Sequence, residues 1–205
     1  MFILPSPDPG IEISAATQGV SKGLLQTDGI QIVAQPELAF GPIVLLGYYK
    51  NVDDTDYGEA RLGAGFRQRL GDVNFALSLL YKWNNGVPAG ADRDALELSA
   101  VVSGRIGPLT PRLSVTWSGD DLGGTRRSLY VEGGASISLS PQISLGANAA
   151  RREREGAPDY TAFNAGATYA ITRSIGVDVR YYDTAQSRLG AIYRARLVAS
   201  VRARF

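Results

Sequence analysis

Residues 191–205 read AIYRARLVASVRARF, with an apolar or alanine side chain at every odd position and arginine at four of the even ones. Successive side chains of a β-strand point to opposite faces, so one face of this segment is apolar and the other carries Arg194, Arg196, Arg202 and Arg204. The segment is longer than an ordinary strand and ends on an aromatic residue, Phe205. This pattern predicts a transmembrane β-barrel strand whose apolar face contacts lipid and whose polar face lines the lumen.

The composition agrees with a barrel of this kind. The chain has 205 residues, 24 glycines, no cysteine or histidine, and a mean hydropathy of −0.06. A barrel interleaves polar lumen residues with apolar lipid-facing residues, so its average hydropathy stays near that of a soluble protein. No apolar run approaches the roughly 18 residues of a transmembrane helix. The net charge of +1 indicates no nucleic-acid partner.

The length suits one domain, residues 1–205, in which we expect residues 1–9 to be an N-terminal periplasmic segment. Met1 is followed by Phe-Ile-Leu-Pro, which is too short for the apolar part of a signal peptide. We therefore expect that an initiating Met has replaced a secretion signal.

The alternation recurs about a dozen times, and short and long connections separate the segments in turn. The short connections are rich in Gly, Pro, Asp and Ser and lie at 40–42, 70–72, 106–111, 140–142 and 172–174. The long ones lie at 22–28, 52–57, 84–94, 119–127, 152–159 and 183–190. Outer-membrane barrels have short periplasmic turns and longer extracellular loops. The sequence thus predicts an all-β, closed antiparallel barrel of about twelve strands in the bacterial outer membrane, with both termini periplasmic.

The predicted strands are 10–21, 29–40, 42–51, 58–70, 73–84, 95–106, 111–119, 128–140, 142–151, 160–172, 174–183 and 191–205. The strand around residues 43–50 shows no alternation, so its facing stays open. Aromatic residues near the strand ends predict interfacial girdles, although aromatic residues also simply favour strands. They are Tyr49, Tyr81, Trp83, Trp117, Tyr169, Tyr181 and Tyr193.

Several segments carry a resemblance to a known family. They are KGLLQTDG at 22–29 followed by Gln35, GYYKNVD at 47–53, YVE at 130–132, DY at 159–160, and RLVASVRARF at 196–205. Together they resemble the TorF-type porins of Gram-negative outer membranes, with Lys22 where that family usually has Arg. The resemblance implies a channel surrounded by outer-membrane lipid and lipopolysaccharide, and it names no solute. Phe205 resembles the signal by which the barrel insertion machinery recognises such proteins.

Sorting the charges by strand phase predicts a cationic lumen. The basic residues assigned to the inner face are Arg61, Arg67, Arg69, Lys82, Arg105, Arg112, Arg152, Arg180, Arg194, Arg196, Arg202 and Arg204. The acidic ones are Glu12, Glu37, Glu97, Glu132 and Asp178. Twelve minus five gives about +7. Such a pore concentrates anions and repels cations, and arginine grips carboxylate or phosphate through two hydrogen bonds.

The sequence therefore predicts passive diffusion of small solutes, with small anions preferred. Two alternatives stay open. The basic residues could pair with acids and fill a narrow lumen, giving a plugged, non-conducting barrel with a structural or adhesive role. The apolar faces could also pack together in a soluble β-sandwich.

Catalysis and metal binding have little support in the sequence. Without His or Cys, the usual nucleophile–base pairs and thiolate sites cannot be built, so no enzyme and no cofactor are predicted. Acidic residues collect in the long connections, and Asp53, Asp54 and Asp56 could hold a divalent cation. These residues lack the spacing of a calcium-binding loop, so a solvated acidic loop is the preferred interpretation.

Overall fold

The computed structural model describes residues 6–52, 58–86, 90 and 92–205, and nearly all of them lie in strands or tight turns. The strands are β1 (Asp8–Ala16), β2 (Gly19–Ser21), β3 (Leu24–Thr27), β4 (Gln31–Phe40), β5 (Ile43–Asn51), β6 (Gly58–Leu70), β7 (Val73–Asn84), β8 (Asp94–Gly104), β9 (Leu109–Asp121), β10 (Arg126–Ser138), β11 (Ile143–Arg154), β12 (Tyr160–Ala170), β13 (Ile175–Asp183) and β14 (Arg196–Arg204). Two single 3-10 turns, Ser187–Leu189 and Ala191–Tyr193, precede β14. Among these residues no helix is long and apolar enough to cross a bilayer.

Twelve of the strands form one closed antiparallel barrel. Its order around the ring is β1-β14-β13-β12-β11-β10-β9-β8-β7-β6-β5-β4, and β4 returns to β1. The first and last strands close it, with Glu12 opposite Arg204 and Ala16 opposite Ser200. Closure pairs the backbone groups of every wall strand on both sides, as a bilayer requires. The predicted twelve-stranded barrel is confirmed.

The alternation of the sequence appears as two faces of the wall. Leu197 on β14 and Leu62 on β6 point outward and are about two-thirds exposed, so the outer surface is apolar. The strand left open by its sequence also has a facing: Ile43, Leu45 and Tyr49 are exposed, whereas Val44 is buried. The apolar Val44 and Leu46 therefore lie on the inner side of β5 and interrupt the polar pattern of the lumen.

The short turns gather at the end of the barrel where β1 begins and β14 ends. Gly41, Gly71 and Gly107 adopt the left-handed backbone conformation, with φ near +60°. Glycine tolerates this conformation because it has no Cβ. The long connections lie at the opposite end, which is the extracellular end of such a barrel.

Two predicted boundaries are wrong by five residues, whereas the others agree to within three. The first predicted strand, 10–21, ends at Ala16, and residues 19–27 form a separate hairpin of β2 and β3 outside the barrel sheet. The last predicted strand, 191–205, begins at Arg196, because Gly190 (φ +129°) and a 3-10 turn precede it. Tyr193 is consequently buried against the ring of Tyr160, at 5.6 Å, and is not part of a girdle. The acidic run at 53–56 lies outside the described residues.

Candidate functional site

The β2–β3 hairpin folds into the extracellular mouth of the barrel. At its tip the Lys22 carbonyl accepts a hydrogen bond of 2.6 Å from the hydroxyl of Tyr160 on β12. Gly23 (φ +84°) lies so close to β12 that an added Cβ would be 2.4 Å from the Cβ of Ala162. The Lys22 ammonium reaches the other way and lies 2.6 Å from a carboxylate oxygen of Glu97 on β8. The tip thus bridges strands that are four places apart around the ring.

Apolar packing holds the same hairpin. Leu24 is 3% exposed and belongs to one buried cluster with residues of β10, β11 and β12 and the turn before β14. The other members are Tyr130, Ala150, Tyr160, Ala162 and Tyr193. On the far side of the hairpin, Lys50 on β5 donates a hydrogen bond of 3.2 Å to Gln26 on β3. Contacts on several walls therefore fix the hairpin in the mouth.

Lys22 completes a buried set of charges, which we call the mouth cluster. Its cations are Lys22, Lys50, Arg61, Lys82 and Arg152, and its carboxylates are Glu59, Glu97 and Asp121. Five cations against three carboxylates leave an excess of +2.

Each carboxylate of the mouth cluster contacts at least two cations. Glu97 lies 3.1 Å from Arg61 and 3.5 Å from Lys82, besides Lys22. Asp121 contacts Lys82 and lies 2.8 Å from Arg152. Burying a charge is costly unless it is paired, so this multiple pairing stabilises the acids while the cations stay in excess.

Two groups of the cluster show the cost of that excess. Burial lowers the pKa of the Lys22 ammonium to about 8, although the Glu97 carboxylate opposes the shift. The Nε of Arg152 is buried and has no hydrogen-bond partner among the described residues. The cluster is therefore a concentrated source of positive potential at the mouth.

Below the hairpin the lumen widens into a cavity of about 460 Å³, which we call the lumen chamber. Its lining includes Val20, Lys22 and Gly23 from the hairpin. Wall residues complete it: Ser103, Thr110, Arg112, Tyr130, Glu132, Ala135, Ser136, Gly146, Asn148, Asn164, Arg180 and Tyr182. Three basic residues and one acid give this lining a charge of +2.

Further charge pairs line the rest of the lumen. Arg112 lies 3.1 Å from Glu132, and Arg180 lies 3.1 Å from Asp178. Nearer the periplasmic end, Arg67 pairs with Glu37 at 2.5 Å and Arg204 pairs with Glu12. Within the described part of the chain Arg202 contacts no carboxylate, and it lines a smaller cavity together with Arg180.

Six of the eleven arginines assigned to the lumen form its charge pairs. They are Arg61, Arg67, Arg112, Arg152, Arg180 and Arg204, each of which contacts a carboxylate of the inner wall. The others differ because of where they lie along the chain.

The short turns hold Arg69 and Arg105. Their Nε atoms donate to the carbonyls of Gly71 and Gly107, at 3.0 and 3.3 Å. Both guanidinium groups are thereby held at the periplasmic rim and lie outside the lumen proper.

The arginines of the final strand do not form one continuous ladder. Arg194 precedes β14, and Arg196 folds back onto three backbone carbonyls near the extracellular end, including that of Arg194. Arg202 lies near the periplasmic end. Phe205 follows β14, where its backbone exchanges two 3.0 Å hydrogen bonds with Ile11 and its side chain stays 77% exposed.

Four members of the mouth cluster are not predicted from the sequence. The pattern places Lys22 and Asp121 in long external connections, and the inner-face assignment omits Lys50 and Glu59. One signal was available, because Glu59 alternates in phase with Arg61 and Arg67 on the same predicted strand. The inward fold of the hairpin has no comparable signal, since it depends on contacts with strands more than seventy residues away.

Comparison with known proteins places these features in context. Residues 15–188 match the family described as Gram-negative porin. No curated protein matches the chain in sequence.

Several solved structures share the barrel. The KdgM porin in complex with disordered oligogalacturonate aligns with a TM-score of 0.67 and 9% identity, over 96% of this chain and 99% of that one. The COG4313 outer membrane channel from Pseudomonas putida F1 aligns with 0.62 and 13%, over 98% and 96%. The NanC porin aligns with 0.63 and 9%, over 95% and 98%. At such identities the likeness concerns the fold alone.

Proposed function

Because the chain belongs to the Gram-negative porins, we propose that it is an anion-preferring diffusion channel. The family and the closed barrel are those of a channel for small solutes in the bacterial outer membrane, surrounded by lipid and lipopolysaccharide. They are features of a channel rather than of an enzyme. The preference for anions is the further step, and it rests on the charges inside the barrel.

The observation that carries the proposal is an excess of cations inside the barrel. The described inner residues include ten cations: Lys22, Lys50, Arg61, Arg67, Lys82, Arg112, Arg152, Arg180, Arg202 and Arg204. The acids are seven: Glu12, Glu37, Glu59, Glu97, Asp121, Glu132 and Asp178. Ten minus seven leaves +3.

This excess is smaller than the +7 obtained from strand phase. Four cations drop out, because Arg69 and Arg105 are held at the turns, Arg194 lies outside β14 and Arg196 folds back onto backbone carbonyls. Lys22 and Lys50 add two cations, and Glu59 and Asp121 add two buried acids. The sign is unchanged. Low-dielectric walls focus this potential in the lumen, so that anions are concentrated and cations are repelled.

One structural neighbour gives independent support. The KdgM porin was solved in complex with an oligogalacturonate, an acidic oligosaccharide. A barrel of this architecture can therefore admit acidic solutes. We extend this to small acids, such as carboxylates, phosphates or short acidic saccharides, for the present chain.

Reversal potentials across planar bilayers under a potassium chloride gradient test the preference. We expect chloride to be preferred over potassium, and higher ionic strength to weaken the preference by shortening the screening length. Arg202→Ser should reduce it, whereas Glu37→Gln should increase it by leaving Arg67 without a counter-charge. Arg127→Ser is the matched control, because Arg127 pairs with Glu155 outside the lumen. Cation selectivity of the unmodified protein would contradict the proposal.

A plugged barrel is the second candidate, and the hairpin in the mouth favours it. In that case folded protein would be silent in bilayers, and replacing residues 18–28 by a short Gly-Ser link would create conductance. If the unmodified barrel conducts, this alternative is excluded. The two candidates thus differ in one direct measurement.

Three further assignments belong to the proposal. The chain acts as one barrel domain. Within the porins we assign it to the TorF-type branch, on the strength of its sequence resemblance. Phe205 serves as the recognition signal for the barrel insertion machinery, since its side chain projects freely beyond β14.

A further inference from the structure

The structure assigns the lumen chamber as a binding site for a small polyhydroxylated carboxylate of about the size of a single-ring sugar acid. This inference rests on the proposed channel function and adds a specific site to it. The chamber volume of about 460 Å³ falls within the range of small-ligand pockets, about 300–1,000 Å³. The ligand that the chamber can bind depends on which hydrogen-bonding groups of its lining are still available.

Arg112 supplies the position for a carboxylate. Its Nη1 lies 3.1 Å from Glu132 and 3.4 Å from the Ser114 hydroxyl, while its Nε and Nη2 bond to no described residue. The side chain is 44% exposed, so this free edge faces the lumen. An Nε–Nη2 edge matches the two oxygens of a carboxylate, and the paired hydrogen bonds are charge-assisted.

Neighbouring groups fix Arg112 and leave a positive surplus. The Tyr130 hydroxyl donates to the second oxygen of Glu132 at 2.8 Å, so that Glu132 is oriented by two partners. Lys22 enters from the hairpin and Arg180 from β13, on other sides of the same chamber. The guanidinium of Arg180 is occupied by Asp178 and Asn164, so it contributes potential rather than a free edge.

The neighbouring wall, on β11 and β12, presents neutral groups suited to hydroxyls. The side-chain oxygen of Asn164 accepts hydrogen bonds from Asn148 and Arg180, both at 2.8 Å. The amide group of Asn164 and the side-chain oxygen of Asn148 consequently remain available as donor and acceptor. Gly134 makes room for this arrangement, because an added Cβ there would be 2.0 Å from the Asn148 oxygen.

The remaining lining also favours a hydroxylated ligand over a simple anion or an apolar acid. Ser103, Thr110 and Ser136 bring hydroxyls to the chamber, and Val20 and Ala135 are its larger aliphatic members. A chloride or acetate ion would use only the arginine edge. A sugar acid would use that edge together with the amide and hydroxyl groups, so its affinity should exceed theirs.

Calorimetric titration of the refolded protein in detergent tests this site without requiring conduction. Glucuronate should bind at least tenfold more tightly than acetate, which lacks hydroxyls, and than glucose, which lacks the carboxylate. Arg112→Gln should weaken glucuronate binding at least tenfold. Arg112→Lys should restore part of it, because lysine keeps the charge and loses the paired geometry.

Asn148→Leu and Arg202→Gln separate the hydroxyl contacts from general electrostatics. Asn148→Leu should weaken glucuronate binding several-fold and leave acetate binding unchanged. Arg202→Gln, which lowers the lumen charge from another cavity, should leave glucuronate affinity within twofold. Heat-modifiable migration in gel electrophoresis confirms that each variant is folded.

Two results would overturn the site: glucuronate binding no tighter than acetate, or a folded Arg112→Gln protein with unchanged affinity. Reversal potentials of the same preparations distinguish this from failure of the channel proposal. Anion preference without selective binding contradicts only the proposed binding site. Selective binding without anion preference contradicts the proposed charge preference of the channel and supports the binding site.

Discussion

Lys22→Gln should loosen the hairpin that occupies the barrel mouth. The substitution removes an ammonium that lies 2.6 Å from Glu97 and 3.9 Å from Asp121, both buried. The backbone hydrogen bond from Tyr160 and the packing of Leu24 remain. The hairpin should therefore stay docked on average but open more often.

The size of the effect follows from the other partners of the two acids. Removing one member of an isolated buried pair costs about 3–5 kcal/mol, because the remaining charge is left uncompensated. Here Arg61, Lys82 and Arg152 still compensate the carboxylates. The loss is then intermediate between that of a neutral and that of a charged hydrogen bond, about 1–2 kcal/mol, which corresponds to an opening equilibrium raised about 5- to 30-fold.

The absence of cysteine makes this opening measurable. Leu24→Cys places a single thiol at a position that is 3% exposed, and a water-soluble maleimide reacts with it only when the hairpin opens. When closing is faster than reaction, the labelling rate follows the opening equilibrium. The rate should rise about 5- to 30-fold on adding Lys22→Gln, but not on adding Arg204→Gln, which breaks a pair at the other end of the barrel. A change below twofold with Lys22→Gln would refute the role of Lys22 in holding the hairpin.

Two other predictions follow from the fold. Leu197→Arg should lower the free energy of unfolding in lipid vesicles by up to about 2–4 kcal/mol, the value for a midplane site, whereas Ser200→Arg on the inner face should change it much less; urea titration compares them. Phe205→Ala should reduce the amount of barrel in the outer membrane of cells while in vitro refolding is unchanged, and equal cellular amounts would remove its role as an insertion signal.

The wall of the barrel was predictable because the pattern that specifies each strand lies within the strand itself. In strands such as β7 and β14 the side chains alternate between apolar and polar every two residues, because one face contacts lipid and the other contacts water. The strand containing Val44 and Leu46 was the exception. Its inner face is partly apolar, so the contrast between lumen and lipid disappears from the sequence.

The contents of the lumen were less predictable because their information is not local. Lys22 lies 75 residues from Glu97 and its carbonyl partner Tyr160 lies 138 residues away. A hairpin loop that points outward and one that folds inward have the same turn chemistry. The inward fold depends on acids on β8 and β9 and on the apolar cluster around Tyr160, and the sequences of those strands give no indication of a partner beyond the wall.

The mouth cluster connects stability and selectivity in one set of side chains. Its three acids are needed to hold five cations in a buried space, and the cations are needed to hold the acids, so neither set can be removed alone without cost. Because the cations outnumber the acids, the arrangement that anchors the hairpin also leaves a positive potential where solutes enter. Because Lys22 lies on the hairpin while the other four cations lie on wall strands, the docking of the hairpin and one of the charges at the mouth both depend on this residue.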